Sequence, residues 1–313
     1  MSRLLLTSNP HIHSGRTTRR VMLDVLIALL PATVASVILF SWRALLVVAV
    51  SVAASVLAEF LYDLLCKKEQ TVGDLSACVT GLLLALNVPV SIPLWQLVFG
   101  DVVAIVVVKC LFGGIGQNFA NPAITARIVM LLCFTGTMVA PTATRFMTLL
   151  DGVTGPTPLA AAAAGEAVPS LLDLFLGNCG GALGETCAAA LLLGFIYLLV
   201  RRVVSWTTPV FFIGTVFVFA LIVKGNAADA LAQILSGGLF LGAIFMATDY
   251  ATTPLNPLGK VLFGIGCGLI TSVIRFWGSL PEGVSYSILL MNILTPFIDK
   301  LTAPRPLGKA ASK

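Results

Sequence analysis

The sequence predicts an all-α polytopic membrane protein with about ten transmembrane helices, arranged as two inverted halves of five helices each. Three observations predict it: the composition, the spacing of apolar segments and the distribution of positive charge. Of the 313 residues, 58% are hydrophobic and 11% are charged, and the mean hydropathy is +1.01. Soluble domains carry about 25% charged residues. This composition excludes a soluble enzyme, a nucleic-acid-binding protein and a disordered chain.

Ten apolar segments approach the length of about 20 residues that a helix needs to cross a bilayer. The third is interrupted by Asn87-Val88-Pro89 and by Pro93, and the eighth by Gly237-Gly238. We therefore expect both to be broken at membrane depth, where irregular backbone is tolerated only inside protein or beside a water-filled cavity. The segments are 21–41, 44–65, 75–94, 96–112, 122–140, 183–200, 207–223, 229–248, 258–276 and 284–301.

The positive charges predict the orientation of these segments. With the N-terminus in the cytoplasm, most of the 19 Lys and Arg residues fall in cytoplasmic segments, whereas only Arg43, Arg145, Lys224 and Arg275 fall outside. The positive-inside rule then predicts an even number of spans with both termini cytoplasmic. Five spans per half is an odd number, so the halves should be inverted, as in many transporters. The predicted parts are a cytoplasmic segment (1–20), a first half (21–140), an outer loop (141–182), a second half (183–301) and a cytoplasmic tail (302–313).

Ionisable residues inside spans are costly and are therefore candidates for function. Glu59 lies deep in the second span, where it either pairs with another group or belongs to an ion path. Asp101 lies near the outer end of the fourth span, where contact with water would explain it. Arg127, in the first turns of the fifth span, could pair with a carboxylate, hold a phosphate or flavin edge, or pack against a partner subunit. Asp249 lies where the eighth span emerges.

Neither a metal site nor a catalytic residue is predicted. The seven cysteines form no CxxC pair, and most lie in apolar runs where a free Cys packs as a small hydrophobe. The two histidines, His11 and His13, precede the first span with no third ligand nearby. The cluster Gly113-Gly114-Ile115-Gly116 either allows close helix packing or lets the backbone approach a flat ligand.

The strongest local signal is Asp151-Gly152-Val153-Thr154-Gly155-Pro156-Thr157-Pro158, in the predicted outer loop. It resembles the flavinylation motif Asp-x-x-Ser/Thr-Gly-Ala-Thr, whose last threonine carries FMN through a phosphoester bond. Five other stretches resemble the same family: residues 8–15 (SNPHIHSG), 113–123 (GGIGQNFANPA), 177–186 (GNCGGALGET), 245–260 (FMATDYATTPLNPLGK) and 281–299 (PEGVSYSILLMNILTPFID).

Over nearly its full length the chain is thus similar to the D-type subunit of the Rnf complex, a relative of the B-type subunit of the sodium-pumping NADH:quinone oxidoreductase. The resemblance implies a membrane electron-transfer subunit of an ion-translocating ferredoxin:NAD⁺ oxidoreductase, with a urea-transporter-like fold. It implies covalent FMN on Thr157, with Asp151 and Gly155 as motif residues, and a second, non-covalent flavin such as riboflavin. Pro156 departs from the motif, which usually has Ala there.

The same resemblance implies the surroundings of the protein. The partners would be the other Rnf subunits (A, B, C, E and G), a flavin transferase and membrane lipid. The location would be the bacterial inner membrane, with the flavin loop outside. Such a subunit helps couple electron flow to the export of Na⁺ or H⁺ but has no complete active site of its own.

Two other functions remain open from the residues alone. Inverted halves and broken helices also suit a stand-alone channel or secondary transporter of urea-transporter-like fold. A purely structural assembly subunit is the third interpretation. The flavinylation motif discriminates among them, because neither a transporter nor an assembly subunit needs a covalent flavin.

Overall fold

In the computed structural model, which describes residues 17–139, 144, 157–164, 169–278 and 282–303, every regular element is helical. Two helices continue into π-helical stretches, α4 into Val103–Cys110 and α12 into Gly242–Met246, and a 3₁₀ turn at Val72–Asp74 precedes α3. The helices are α1 (Thr18–Phe40), α2 (Trp42–Leu65), α3 (Ser76–Leu86), α4 (Leu94–Val102), α5 (Pro122–Cys133), α6 (Thr135–Met138), α7 (Pro158–Ala164), α8 (Leu171–Leu176), α9 (Ala188–Val200), α10 (Thr207–Lys224), α11 (Ala227–Leu235), α12 (Leu239–Leu241), α13 (Pro257–Trp277) and α14 (Val284–Thr302).

Four of the described helices, α1, α2, α10 and α13, are long and apolar enough to cross a membrane. A fifth candidate is the pair formed by α11 and Leu239–Met246, which is bent by 65°. The shorter apolar helices α3, α5 and α9 lie among them. The prediction of a helical membrane protein that crosses the bilayer several times is confirmed.

One continuous apolar core joins the two parts of the chain. Helix α1 packs along α9, α2 packs on α3 and α4, α10 packs on α13, and α5 packs on α14. The core therefore includes residues from before and after the predicted outer loop.

The predicted break in the third apolar segment is confirmed. Helix α3 ends at Leu86, where the Asn87 amide turns back and donates to the Leu83 carbonyl at 2.8 Å. The freed carbonyls of Leu86 and Val88 accept hydrogen bonds from the backbone N–H groups of Gly184 (2.7 Å) and Leu183 (3.1 Å). The broken backbone is thus satisfied by protein, as membrane depth requires.

The predicted break in the eighth segment is confirmed as well. Helix α11 ends at Leu235, and the chain turns through Gly237, whose φ of +69° suits a residue without Cβ. The chain then resumes as α12. The two breaks, one in each predicted half, border the same cavity, which is described below.

Two predicted boundaries are wrong. The sixth segment was expected to begin at 183, but α9 begins at Ala188, because Leu183 and Gly184 pair with the broken end of α3 instead of continuing a helix. The fifth segment was expected to reach 140. Helix α5 stops at Cys133, where Phe134 leaves the helical region (φ −130°, ψ 43°), and α6 follows as a separate short helix from Thr135.

The glycine cluster forms a turn. Gly114 and Gly116 have φ values of +94° and +86°, and a Cβ at either position would meet no atom within 4 Å. The interpretation of close helix packing is therefore wrong for these two positions. Their backbone conformation is what favours glycine.

Close packing does require a glycine at position 194, where α1 and α9 cross. A Cβ at Gly194 would lie 2.2 Å from the Ala28 carbonyl oxygen. Gly194→Ala should therefore force the two helices apart and lower the free energy of unfolding by about 1–3 kcal/mol, as overpacking does. The measurement is thermal unfolding of the purified, detergent-solubilised protein.

Gly214→Ala in α10 is the matched control, because a Cβ there meets no atom within 4 Å. Alanine is the better helix former, so this variant should unfold no earlier than the wild type. Equal unfolding temperatures for the two variants would contradict the close approach at Gly194.

Candidate functional site

A cavity of about 460 Å³ lies where the two helix breaks meet. Its lining includes five polar residues, Asn87, Arg127, Thr157, Glu185 and Glu282, and apolar side chains from α5, α6 and α7. These five polar residues come from five separate stretches of the chain. Five parts of the chain that are distant in sequence therefore meet at this cavity.

Thr157 directly precedes the first residue of α7. Its Oγ1 accepts a hydrogen bond from the Ala160 N–H at 3.4 Å, and its carbonyl accepts one from Ala161 at 2.9 Å. Leu159, two residues on, is buried and packs onto Gly237, where an added Cβ would lie 2.5 Å from its Cδ1. Thr157 itself is half-buried. The packing of Leu159 keeps Thr157 in the lining of the cavity.

Arg127 links the two breaks. Its Nη1 donates to Asn87 Oδ1 at 3.0 Å, at the end of α3, and to Ser285 Oγ at 3.1 Å, in the first turn of α14. Its Nη2 forms ion pairs with Glu185 Oε1 at 2.8 Å and with Glu282 Oε2. A guanidinium suits this task, because its planar fork donates in several fixed directions at once.

The second break is capped by charged side chains. Arg275 of α13 donates to the carbonyls of Gln233 (2.6 Å) and Ser236 (3.2 Å), at the end of α11. Glu282 accepts from the Gly238 N–H at 2.9 Å, at the start of α12. Helix ends expose unpaired backbone groups, and here charged side chains satisfy several of them. The break is therefore a built feature of the fold.

The electrostatics of the cavity follow from this arrangement. Glu185 and Glu282 share the Arg127 guanidinium, and Arg275 adds a second positive charge beside Glu282. The side chains of Arg127 and Glu185 are only 11% and 7% exposed. The cavity thus combines hydroxyl side chains, a buried cluster of ion pairs and apolar walls, which suits a planar, polar-edged ligand.

The structure brings two of the predicted site residues together and separates the others. Thr157 and Arg127 line the same cavity. Asp151 and Gly155 lie outside the described residues. Glu59, Asp101 and Asp249 lie away from this cavity, each with its own partners.

Glu59 is fully buried and pairs with Lys109 on the π-helical stretch after α4, with Nζ and Oε1 2.6 Å apart. Thr71 donates to the same oxygen at 2.6 Å, and Lys109 also donates to Ser76. The interpretation of Glu59 as a pairing residue is thus supported. Lys109, which was counted among the cytoplasmic charges, is buried.

The interpretation that contact with water explains Asp101 is wrong. Asp101 has no exposed surface, and its Oδ1 lies within hydrogen-bond distance of Ser51 Oγ and Ser55 Oγ of α2. Helix α2 covers it, which the position of Asp101 near a span end does not show. Asp249 accepts a hydrogen bond from Thr252 at 3.3 Å and lines a second, smaller cavity of about 110 Å³ with Gly116.

Sequence reasoning missed Glu185 and Glu282 as site residues. Both fall within stretches already noted, 177–186 and 281–299, and each lies in a connection just before a helix. An acidic residue beside glycine in an apolar chain was the available signal. The pairing with Arg127 had no such signal, because Arg127 and Glu282 are 155 positions apart in sequence.

Comparisons with known proteins agree over nearly the whole chain. The family model described as "NQR2, RnfD, RnfE family" matches residues 5–308. The chain is similar to the D-type subunit of the Na⁺-translocating ferredoxin:NAD⁺ oxidoreductase complex of Acetobacterium woodii, with 47% identity over 97% of this chain and 95% of that protein.

Two other relatives carry related names. The D-type subunit of the proton-translocating ferredoxin:NAD⁺ oxidoreductase complex of Clostridium ljungdahlii is 36% identical over 97% of this chain and 96% of that protein. The D-type subunit of the ion-translocating oxidoreductase complex of Stutzerimonas stutzeri is 38% identical over 93% of this chain and 92% of that protein. All three likenesses are close to full length.

Removal of the Arg127 charge should destabilise the protein. Arg127→Leu leaves Glu185 and Glu282 buried without their shared cation, and breaking such a buried pair costs about 3–5 kcal/mol. We expect a large loss of thermal stability in the detergent-solubilised protein.

Neutralising both carboxylates should restore part of that loss, because neither carboxylate is then a buried charge without its cation, whereas the buried Arg275 loses the negative charge beside it. The rescue variant combines Arg127→Leu with Glu185→Gln and Glu282→Gln. Full stability of the single variant, or a triple variant no more stable than it, would show that the ion pairs do not organise the cavity.

Proposed function

The chain belongs to the NQR2, RnfD and RnfE family, and we propose that it is a membrane subunit of an ion-translocating ferredoxin:NAD⁺ oxidoreductase complex that carries FMN covalently on Thr157. In this role it takes part in electron transfer and helps couple that transfer to the export of Na⁺ or H⁺. The names of its near full-length relatives support the complex. The flavin is supported by the motif at 151–157 and by the position of Thr157.

The observation that carries the flavin proposal is the place of Thr157 in the lining of the 460 Å³ cavity. Small-molecule sites commonly enclose about 300–1,000 Å³. The residues fit a flavin: Leu131, Val139 and Leu159 offer apolar surface, and the buried Thr186 hydroxyl, which has no hydrogen-bond partner among the described residues, is available to a polar ring edge. Bound FMN would supply one- and two-electron redox chemistry that no amino-acid side chain here provides.

The side chains would then hold and orient the group. Thr157 Oγ would supply the ester oxygen, and the backbone contacts of Thr157 with α7 would fix the direction of the attachment. Arg127 donates through Nη1 to Asn87 and Ser285 and pairs through Nη2 with Glu185 and Glu282, so it would hold the cavity wall against which the ligand would lie. A phosphate needs solvation, and the half-buried position of Thr157 leaves one side open to solvent.

We extend the proposal to the architecture of ten spans in two inverted five-helix halves with a urea-transporter-like arrangement. Matching helix contacts support it. The second and fourth spans pack together in each half, as α2 with α4 and as α10 with α13. The first spans meet as α1 with α9, and the fifth as α5 with α14. The third span of the first half and its counterpart, the eighth in the chain, are both broken.

We also propose the partners and the location. The other Rnf subunits (A, B, C, E and G) and a flavin transferase would be partners in the bacterial inner membrane. Both termini, 1–20 and 302–313, would be cytoplasmic. The loop 141–182 with Thr157 would lie outside, between the halves 21–140 and 183–301.

Thr157→Ala should abolish covalent flavin. The chain should be produced with its flavin transferase, denatured and separated by electrophoresis, because only an ester-linked flavin survives denaturation. We expect in-gel fluorescence from the wild type and an FMN-sized mass increment on the peptide that contains Thr157. The alanine variant should lack both signals.

Thr154→Ser is the matched control, because the motif accepts Ser as well as Thr at that position, and it should keep the flavin on Thr157. An increment that persists in Thr157→Ala would refute the assignment of the residue. An unmodified wild type would refute the covalent flavin and favour a channel or transporter.

The proposed orientation predicts which side of the membrane each helix end reaches. Cys66, exposed at the end of α2, should react with a membrane-impermeant maleimide only in inverted vesicles. A cysteine placed at Lys224, at the end of α10, should react in intact cells. Each probe would be the only cysteine in its chain, with the others replaced by serine. Labelling of Cys66 from outside would contradict the orientation.

A further inference from the structure

Asp101 lies in a shell of oxygen atoms between α2, α3 and α4. Its Oδ1 is 2.7 Å from Ser51 Oγ and 2.9 Å from Ser55 Oγ. Ser51 Oγ is also 2.8 Å from the Gly81 carbonyl oxygen. Asp101 has no exposed surface, and its Oδ2 has no hydrogen-bond partner among the described residues.

If Asp101 is ionised, the hydroxyl groups supply fewer hydrogen atoms than these contacts need. Three oxygen–oxygen contacts of hydrogen-bond length join Ser51 to Gly81, Ser51 to Asp101 and Ser55 to Asp101. Each needs one hydrogen, but a hydroxyl has only one to donate, so the two serines supply two. A protonated Asp101 supplies the third. It can donate to Ser51 Oγ while Ser51 donates to Gly81 and Ser55 donates to Asp101.

The charges on the surrounding elements are engaged elsewhere. Glu59 and Lys109 pair with each other, and Arg127 pairs with Glu185 and Glu282. Asp63 accepts hydrogen bonds from Thr71, and Arg43 donates to backbone carbonyls at 90–92. Cys78 is the remaining titratable group on α3. Among the described residues, no basic side chain forms an ion pair with Asp101.

An isolated carboxylate in an apolar interior is very costly, and such a group neutralises instead. We propose that Asp101 is a proton-binding site inside the membrane domain, with its carboxyl protonated in the arrangement described. Binding and release make and break one O–H bond on the carboxyl, the proton comes from and returns to water, and no electron moves.

The site is separate from the flavin cavity, and its protonation does not depend on a flavin at Thr157. Only a role for this proton in ion translocation rests on the proposed function. An intramembrane ionisable group with no counter-charge is the kind of residue that ion pathways use.

Infrared spectroscopy of the purified complex at neutral pH tests the proposal. A carbonyl band of a buried carboxylic acid should be present in the wild type, shift when aspartate is labelled with ¹³C, and vanish in Asp101→Asn. Glu59→Gln is the matched control, since Glu59 is equally buried but paired with Lys109, and it should leave the band unchanged. Thr157→Ala should keep the band too, so the band tests this proposal independently of whether Thr157 carries a flavin.

If Asp101→Asn does not assemble, dicyclohexylcarbodiimide labelling of the wild type replaces it, because this apolar reagent reacts with protonated carboxyls in membranes. An adduct on Asp101 without one on Glu59 would support the proposal. The proposal is overturned if the acid band is missing from the wild type or unchanged in Asp101→Asn, or if, in the labelling experiment, Asp101 carries no adduct.

Discussion

The guanidinium of Arg127 connects four parts of the chain that are far apart in sequence. It bonds to Asn87 at the end of one broken helix, to Ser285 at the start of the last helix, and to two carboxylates in separate connections. Broken helices expose polar backbone that an apolar medium cannot satisfy. Arg127 positions Glu282, Glu282 bonds to Gly238, and Arg275 bonds to the carbonyls that α11 leaves open. The cavity exists because these bonds allow two helices to stop inside the fold.

Local features that depend on neighbouring residues could be predicted from the sequence. Apolar runs predicted α1, α2, α10 and α13, because length and composition alone decide whether a helix can span a bilayer. Proline and paired glycines predicted the breaks at 87–93 and 237–238, because these residues act on their own backbone. The start of α9 was missed, because the residues before it are kept from helix by bonds to the distant carbonyls of Leu86 and Val88.

The site was only partly predictable, for the same reason. Thr157 was found through a motif that is contiguous in sequence, and Arg127 stood out as a charge within a span. Its partners Glu185 and Glu282 were not predicted, because no local sequence pattern indicates a contact between residues so far apart. Asp101 was misjudged because its exposure depends on α2, whose serines cover it, and not on its distance from a helix end.

The long separations within the Arg127 cluster also have a consequence for biosynthesis. Arg127 and Glu282 are 155 positions apart, and at synthesis rates of about 5–20 residues per second roughly 8–30 s pass between the appearance of the two residues. During that interval the guanidinium has no complete set of partners. Helix α5 can therefore reach its final set of contacts only after Glu282 and the first turn of the last helix have been made.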